Sequence, residues 1–322
     1  MTRDLVHQTV MQVKSPFDNL WVEKYRPGTL DDIVLTDKNR DIFLKYVDEQ
    51  SIPNLLFVGT VGIGKTSLAK IICKDMLRCQ YLYINASDEN GIDTIRTKVT
   101  NFSRTKSFDG KTKCVILDET DGLSLDAQRA LRNTMEEHSS ITRFILTANY
   151  NHRIIPPLQS RCQSFDLTPP HDKFMDRVKY ILSVENIKVE TQNMSTLEEF
   201  TSRCYPDLRK CINEIQKNVV NGVLMLSNLV IVKDSFIDSL YQIISNGLAI
   251  KARKKVIENE HVFNGDYTEL LRSMFNHIHA NNKIDDQTRT KQLLVVSEHI
   301  YRAAFVVDPE INFYSCMLAM ND

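Results

Sequence analysis

The segment that follows the first apolar run of this chain has the residues of a phosphate-binding loop. Residues 59–67 read GTVGIGKTS, which matches the pattern G-x-x-x-x-G-K-T between a predicted strand and a predicted helix. Glycines let the backbone curl so that its N–H groups point inward, while Lys65 would reach the outer phosphates and Thr66 would hold Mg²⁺. The alternative is a glycine-rich turn that arose by chance, which the flanking elements disfavour.

Two adjacent acids end a later apolar run, CVIL, and are candidates for hydrolytic chemistry. Asp118 could ligate Mg²⁺ through water, and Glu119 could polarise an attacking water. A strand that ends in two acids is, by itself, more often a solvated strand end. Because these acids lie downstream of a phosphate loop, the catalytic interpretation is favoured.

Three further polar residues are weaker candidates. Asn149 follows the run FILTA and could hydrogen-bond an attacking water or a γ-phosphate, or it could only cap a loop. Arg161 lies in the triplet SRC, where a single arginine is usually a surface residue. Arg209, in PDLRK, opens a predicted helix and could lie over a bound nucleotide.

A short stretch between residues 93 and 113 is rich in basic side chains, which outnumber Asp93 and Asp109. Such a cluster is a candidate for contact with the phosphate backbone of nucleic acid, although in an unrelated protein it would more often be a solvated helix face. Nothing in it suggests the reading of base edges. Its basic members are Arg96, Lys98, Arg104, Lys106, Lys111 and Lys113.

Short apolar runs without polar alternation recur through the first half of the chain, at residues 55–58, 81–84, 114–117 and 144–147. Each is followed by a polar or helix-like segment. Apolar strands that alternate with helices are typical of a parallel sheet covered on both faces. The first half is therefore predicted to be an α/β domain.

The pattern changes at Thr168-Pro169-Pro170, because two prolines block the continuation of a strand or a helix. From His171 onward the apolar spacings are helical, and no strand is predicted. We therefore expect an α/β domain over residues 1–167 and two helical units, over 168–232 and 233–322.

Bulk properties exclude several classes of protein. The 322 residues carry a formal net charge of −1, so any contact with nucleic acid must be local or depend on assembly with other subunits. The seven cysteines form no C-x-x-C pair, which disfavours a zinc ribbon or a disulfide framework and favours a reducing compartment. The pair His277 and His279 lacks supporting acids or cysteines for a metal site. No secretory signal or membrane span is visible, so a soluble intracellular protein is expected.

Together, these motifs resemble the AAA+ ATPase subunits of sliding-clamp loaders, of the replication factor C branch. The resemblance rests on the order of the phosphate loop, DETD, TAN, SRC and PDLR, and on the box WVEKYRP that begins at Trp21 and is followed by LDDIV. The phrases TNF and SFDG, with YPDLRK, resemble most the large subunit of T-even-type bacteriophage loaders, whereas NASD resembles the cellular members. The location would be the host cytoplasm for a phage protein, or the nucleus for a eukaryotic one.

The resemblance implies a RecA-like domain, a helical lid and a helical collar. It implies that ATP and Mg²⁺ are the cofactors, that Asp118 orders the metal and that Glu119 is the catalytic base. Asn149 and Arg209 would act as the two sensors, and Arg161 as an arginine finger for the neighbouring subunit. Val61 departs from the usual loop proline. The implied nucleotide-binding residues are Val22, Glu23, Lys24, Tyr25 and Val34 around the base, with Gly62, Ile63, Gly64, Lys65, Thr66 and Ser67 in the loop.

The resemblance also implies a DNA-dependent, clamp-stimulated ATPase in a pentameric ring. Its partners would be homologous or identical subunits, an accessory subunit, a sliding clamp and primer–template DNA. Phe102 and Phe108 are candidates for docking on the clamp or for core packing. Another AAA+ motor, such as a branch-migration or helicase-loading ATPase, and a structural subunit of the loader remain the alternatives. The residues expected to face DNA are Arg96, Lys98, Arg104 and Lys106, with Arg129 and Arg132 on the helix that also carries Gln128.

Overall fold

The computed structural model describes residues 20–107, 110–189, 194–225, 227–260, 263, 265–281 and 284–321. These residues divide into two compact units. The first contains residues 20–189 and Phe200–Leu224, and the second contains residues 194–199 and 225–321.

The first unit is built on a five-stranded parallel sheet with the order β2-β3-β4-β1-β5. The four apolar runs form the first four strands, so the predicted parallel sheet is confirmed. The run QSFD forms a fifth strand, which is the outer strand of the sheet next to β1. The strands are β1 (Leu55–Val58), β2 (Tyr81–Asn85), β3 (Lys113–Asp118), β4 (Thr142–Ala148) and β5 (Gln163–Asp166).

Both faces of this sheet are covered, which explains why its central strands lack polar alternation. On β1, Leu55 and Phe57 belong to one apolar cluster and Leu56 to another. On β3, Ile116 likewise faces the first cluster and Leu117 the second, because successive strand residues point to opposite faces. The carboxyl ends of β1, β3 and β4 therefore meet at one edge, where the candidate site residues follow.

Ten helices accompany the sheet in the described part of the chain up to residue 224. Two π-helical turns, Ile72–Met76 and Ile95–Val99, extend α3 and join α4 to α5. As the two prolines predict, α8 begins at His171. The helices are α1 (Trp21–Lys24), α2 (Asp37–Glu49), α3 (Lys65–Ile71), α4 (Ile92–Thr94), α5 (Thr100–Arg104), α6 (Leu125–Glu137), α7 (Pro156–Gln159), α8 (His171–Val184), α9 (Met194–Cys204) and α10 (Leu208–Lys217).

The expectation that no strand follows His171 is wrong in one place. A two-residue strand, β6 (Val219–Val220), pairs antiparallel with β7 (Val223–Leu224). Asn221 and Gly222 form the turn between them with φ angles of 51° and 77°. Asn-Gly is a strong signal for such a two-residue hairpin turn, because both positions need positive φ.

The second unit is helical, as predicted. Its core contains Leu240, Leu270, Val296 and Phe313. Aspartates begin three of its helices, since Asp266, Asp285 and Asp308 each accept a backbone hydrogen bond from the first turn that follows. The helices are α11 (Ser227–Ser245), α12 (Ala249–Glu258), α13 (Tyr267–Ala280), α14 (Asp286–Arg302) and α15 (Pro309–Ala319).

No helix within the described residues has the length and apolar character needed to cross a membrane. The division of the first unit into an α/β domain that ends at residue 167 and a separate lid over 168–232 stays a prediction.

Candidate active site

The loop after β1 has the backbone that its glycines predict. Gly59, Gly62 and Gly64 have φ angles of 144°, 79° and 94°, and α3 begins directly afterwards at Lys65. A Cβ atom on Gly62 would lie 1.8 Å from a carboxylate oxygen of Asp207, the residue that caps α10. The glycine at this position is therefore required both by the backbone and by the close approach of Asp207.

Lys65 is the buried cation of the site, with only 7% of its surface exposed. Its Nζ atom donates hydrogen bonds to the carbonyl oxygens of Gly59 (2.8 Å) and Thr60 (2.7 Å) and to Oδ1 of Asn149 (2.8 Å). Burial lowers the pKa of Lys65 to about 8, and the nearby carboxylates of Asp118 and Asp121 oppose that shift. Two of the predicted site residues, Lys65 and Asn149, are thus in direct contact.

Asp118 lies at the end of β3 and is buried against polar partners. Its carboxylate accepts hydrogen bonds from the hydroxyl groups of Thr66 (2.8 and 2.9 Å), Thr147 (2.6 Å) and Tyr83 (2.9 Å). Burial, followed by the charge of Asp118, raises the pKa of Tyr83. The sequence motifs paired Asp118 with Thr66 but did not indicate Tyr83 and Thr147, whose positions on β2 and β4 beside the end of β3 could have done so.

Glu119 adopts a left-handed backbone conformation, with a φ angle of 54°, directly after β3. Its N–H donates to the Thr147 hydroxyl at 2.9 Å, which turns the chain away from the strand direction. Its carboxylate is exposed and accepts a hydrogen bond of 2.6 Å from the Ser87 hydroxyl. Glu119 therefore lies at the same sheet edge as Asp118, and Ser87 is a neighbour that was not predicted from the sequence.

The position of Asn149 depends on the third acid of the DETD motif, Asp121. One carboxylate oxygen of Asp121 accepts the backbone N–H groups of Asn149 (3.2 Å) and Tyr150 (3.1 Å). Asp121 thereby connects the turn after β3 to the end of β4. No role for this acid was predicted from the sequence.

A cleft lies beside the loop and encloses about 640 Å³ of space, part of it open to solvent. Predicted nucleotide-binding residues that line it are Val22, Tyr25, Val34, Gly62, Ile63, Gly64, Ser67 and Arg209. Arg209 also contributes positive charge that lowers the pKa of Lys65. Other lining residues, which were not among the predicted nucleotide-binding residues, are Arg26, Pro27, Asp32, Ile33, Pro169, Phe174, Leu208 and Ile212.

Two of the predicted base-binding residues do not line this cleft. Lys24 forms an ion pair of 2.5 Å with Glu185, which also accepts a hydrogen bond from the Tyr25 hydroxyl at 2.5 Å. Glu23 pairs with Arg26 at 2.7 Å. Lys24 therefore joins the WVEKYRP segment to the residue that follows α8.

Arg161 lies at the amino-terminal ends of the strands, whereas the loop lies at their carboxyl-terminal ends. It precedes β5, whose first residue, Gln163, is paired with Leu55 at the start of β1, and its carbonyl oxygen accepts a hydrogen bond from Asn54. Its guanidinium pairs with Glu136 on α6. Because strands rise about 3.3 Å per residue, β1 alone separates these ends from the loop by roughly 10 Å. Arg161 is not brought together with Lys65.

Five of the six predicted DNA-facing residues lie on two neighbouring helical segments, which meet at a 3.3 Å contact between the hydroxyls of Thr100 and Thr134, and Lys106 lies just after α5. Arg132 is half-buried, Lys98 pairs with Glu89, and Arg129 pairs with Asp126. The exposed basic residues are Arg96, Lys98, Arg104, Lys106 and Arg129.

Two other members of this region are not surface residues. Lys113 is 3% exposed, and its Nζ atom donates to the carbonyl oxygens of Phe102 and Thr105, so its assignment to the basic surface is wrong. Gln128 is 2% exposed and bonds the backbone around residues 153–155. Phe102 is half-buried against the core, and Phe108 lies outside the described residues.

Comparison with known proteins adds independent information. A family model described as "ATPase family associated with various cellular activities (AAA)" matches residues 55–169. The chain is 38% identical over 247 residues to the replication factor C small subunit of Methanococcus vannielii, which covers 73% of this chain and 78% of the relative. It is 35% identical over 314 residues to the replication factor C small subunit of Thermofilum pendens, with coverages of 93% and 95%.

Among solved structures, the Thermotoga maritima RuvB Holliday junction branch migration motor covers 70% of this chain and 85% of its own, with a TM-score of 0.50 and 17% identity. A variant of the same motor covers 91% and 90%, with a TM-score of 0.52 and 15% identity. At these identities the likeness supports the fold alone. It agrees with the AAA+ architecture of the parallel sheet and its helices.

Proposed function

Because this chain belongs to the family of replication factor C small subunits and is an ATPase subunit of a sliding-clamp loader, we propose that it opens the clamp and places it on primer–template DNA. ATP held between neighbouring subunits would lock them into a spiral that matches the duplex and keeps the clamp open. DNA entry would then trigger hydrolysis and release of the closed clamp. The ATPase activity is accordingly proposed to depend on DNA and to be stimulated by the clamp.

The loop and its neighbours have the donors and charges that ATP and Mg²⁺ require. The positive-φ glycines turn backbone N–H groups inward at the start of α3, and Lys65 supplies a buried positive charge. The Thr66 hydroxyl and the Asp118 carboxylate, 2.8 Å apart, are hard oxygen ligands of the kind that Mg²⁺ prefers. Mg²⁺ bound there would neutralise charge on the phosphates, and the apolar cleft walls at Val22, Val34 and Ile63 would hold the base.

Roles in hydrolysis follow from position at this sheet edge. Glu119 has an exposed carboxylate one residue after Asp118, so it is the proposed general base for the attacking water. Asn149 and Arg209 are proposed to sense the γ-phosphate, Asn149 through its contact with Lys65 and Arg209 from the rim of the cleft.

The position of Arg161 is the main support for the proposal that the subunits form a ring. Arg161 lies at the amino-terminal ends of the parallel strands, so its side chain cannot reach phosphates that are bound at the carboxyl-terminal ends of the strands in the same subunit. It can reach those of an adjacent copy in a head-to-tail arrangement, where each subunit presents these amino-terminal ends to the next cleft. We therefore assign Arg161 the role of an arginine finger that acts in trans, after its pair with Glu136 opens.

Apolar side chains on the second unit support assembly with other subunits. Tyr301, Phe305 and Val307, at the end of α14 and just after it, are 72%, 74% and 102% exposed, and Ile311 on α15 is 57% exposed. Neighbouring large apolar residues left in water are typical of a protein–protein interface. We propose that this surface joins identical or homologous subunits and an accessory subunit into a pentamer.

The DNA-facing surface is proposed to be the exposed basic residues on the segment 92–106 and on α6. Arg96, Arg104 and Lys106 have exposed side chains suited to phosphate contact without base reading. The sequence phrases shared with T-even-type loaders lead us to propose a bacteriophage origin and action in the host cytoplasm.

The test is the ATPase rate of the assembled loader with clamp alone, with primed DNA alone and with both. The expected result is a rate with both that exceeds the sum of the separate stimulations. The Glu119→Gln variant, assembled in the same way, controls for contaminating ATPases. ATP hydrolysis that neither clamp nor primed DNA alters would contradict the loader cycle while leaving the ATPase assignment intact.

A further inference from the structure

Three cysteines that are scattered along the sequence meet in the core of the first unit. Cys73 lies in the π-helical turn that extends α3, Cys79 lies in the turn before β2, and Cys114 is the second residue of β3. The Sγ atoms of Cys79 and Cys114 are 3.5 Å apart, and all three sulfur atoms lie within 4.8 Å of one another. The sequence did not predict this cluster, because its cysteines form no C-x-x-C pair and come together only through the pairing of β2 with β3.

The spacing of these sulfur atoms matches the requirement of a three-coordinate metal ion. Three sulfurs around one ion at about 2.3 Å each would be separated by about 4.0 Å in a trigonal arrangement. One pair of sulfur atoms is 3.5 Å apart and every pair lies within 4.8 Å, so small side-chain rotations would bring all three onto one ion. Cys73 and Cys114 are fully buried, while Cys79 is half-exposed and gives the ion a path from solvent.

Two basic residues lie next to the cluster. The ammonium group of Lys111 donates a hydrogen bond of 3.2 Å to the carbonyl oxygen of Arg78, the residue before Cys79. Arg143 on β4 is paired with Cys114 on β3 in the register of the sheet. Metal-bound thiolates would therefore have two cations nearby to offset the cost of burying their charge.

The identity of the ion follows from the number and softness of the ligands. Structural zinc sites almost always have four protein ligands, whereas the described residues offer no fourth His, Cys, Asp or Glu atom to this group. Soft thiolate ligands also select monovalent copper, which accepts three. We propose that Cys73, Cys79 and Cys114 form a three-thiolate site for a thiophilic d¹⁰ ion of the monovalent-copper class.

Binding at this site replaces three S–H bonds with three metal–sulfur bonds and releases the protons to solvent. The bound ion would connect the far end of the helix that begins at Lys65 to the strand that ends at Asp118. It lies at the opposite end of both elements from the phosphate loop, so its direct effect is on the stability of the first unit. This inference is independent of clamp loading.

The test is an anaerobic titration of the reduced full-length chain with Cu(I), in competition with a chromophoric Cu(I) chelator. We expect one tightly held equivalent, a thiolate-to-copper charge-transfer band and a higher melting temperature. In Cys79→Ser the affinity should fall more than about 100-fold, since even residues that only support ligands contribute 10–100-fold. Cys162→Ser removes a half-buried thiol elsewhere in the same unit and should bind copper as the unmodified chain does.

A second variant, a comparison with Zn(II) and an assay for disulfides test the three-thiolate site further. Cys114→Ala, whose melting temperature without metal verifies folding, should lose the copper site in the same way. Equal Cu(I) uptake by the unmodified chain and both variants would overturn the site. Retention of one equivalent of Zn(II) but not of Cu(I) would overturn the three-coordinate assignment. A disulfide among these cysteines in chain purified under reducing conditions, detected by intact mass after alkylation, would also overturn it.

Discussion

The ammonium group of Lys65 donates a hydrogen bond of 2.8 Å to the side-chain oxygen of Asn149. This contact joins the loop after β1 to the residue that follows β4, and these two strands are neighbours in the sheet. A phosphate that enters the loop competes for the same ammonium group with Asn149 and with the carbonyl oxygens of Gly59 and Thr60. Nucleotide binding would therefore change the surroundings of Asn149 directly.

Replacement of Lys65 by alanine should abolish measurable ATP binding. The change deletes the buried positive charge of the loop, and hydrogen bonds to charged groups contribute about 1.5–3 kcal/mol each, so a reduction of about 10²-fold or more is expected. Equilibrium binding of labelled ATP measures it. Lys74→Ala, which removes an exposed lysine further along the same helical segment, should bind normally. Near-normal affinity in Lys65→Ala would refute the assignment of this loop.

The lowered pKa of Lys65 makes a separate prediction about stability. Its pKa is about 8 in the folded chain, against a usual 10.5, so between these values the unfolded chain binds a proton that the folded chain lacks. The stability of the unmodified chain should therefore rise relative to Lys65→Met as pH increases from about 8 to 10.5, by at most about 1.4 kcal/mol per pH unit.

Urea unfolding of both proteins at several pH values measures this difference, because all other titrations cancel. Below about pH 8 the difference should be constant, since both states then carry the proton. Lys74→Met should show a flat difference throughout. A flat profile for Lys65→Met would mean that the lysine is not desolvated in the folded chain.

Glu119→Gln should bind ATP with normal affinity and hydrolyse it about 10²–10⁴-fold more slowly, because an amide cannot accept the proton of the attacking water. The loader should then remain on clamp and DNA. Single-turnover hydrolysis measures the chemical step directly, and Glu137→Gln, at the exposed end of α6, serves as the matched control. An unchanged single-turnover rate would show that another residue positions the water.

The fold could be predicted from the sequence because its strands are apolar runs with strong periodic contrast to the helices between them. The loop at Gly59, the acids after β3 and Asn149 were also visible, since each follows a predicted strand and the carboxyl ends of parallel strands meet. Residues such as Ser87 and Asp121 were not, because their contacts depend on the turn geometry after β2 and β3.

The burial of individual polar side chains was the property that the sequence predicted least well. Lys113 reads as part of a basic surface, but it begins β3 and its ammonium group is satisfied by Phe102 and Thr105. A charged residue at the start of a central strand can extend along the apolar surface to reach carbonyl groups. The three-cysteine cluster was concealed for a similar reason, as only the pairing of β2 with β3 brings Cys79 beside Cys114.

Removal of charge at Arg96, Lys98 and Arg104 should weaken the binding of primed DNA equally for different sequences. For each phosphate that the variant no longer neutralises, the slope of log affinity against log salt should become shallower by about 0.9. A control triple substitution at Lys45, Lys74 and Lys254 removes three exposed charges elsewhere and should leave the slope unchanged. An unaltered slope in the first variant would show that these residues are only solvated surface.

Arg161→Ala should preserve ATP binding in the variant subunit but slow ATP hydrolysis in the neighbouring subunit. The cleft of the variant chain is intact, so ATP binding should remain close to normal. Hydrolysis in the neighbouring cleft should fall by about 10³–10⁵-fold, the contribution of an arginine finger in other phosphoryl-transfer enzymes. Arg253→Ala removes another ion-paired arginine, the partner of Glu310, and should leave the ATPase rate unchanged.

The decisive measurement combines Arg161→Ala chains with Glu119→Gln chains and follows the ATPase rate as a function of their ratio. If Arg161 acts in trans, a cleft with an intact Glu119 can adjoin a Glu119→Gln chain that supplies an intact Arg161. Activity should then appear only in mixtures and be greatest near equal proportions. If Arg161 acted in cis, each variant would be inactive in its own cleft and no mixture would recover activity. Failure to recover at any ratio would remove Arg161 from the neighbouring site, and with it the main structural support for a ring.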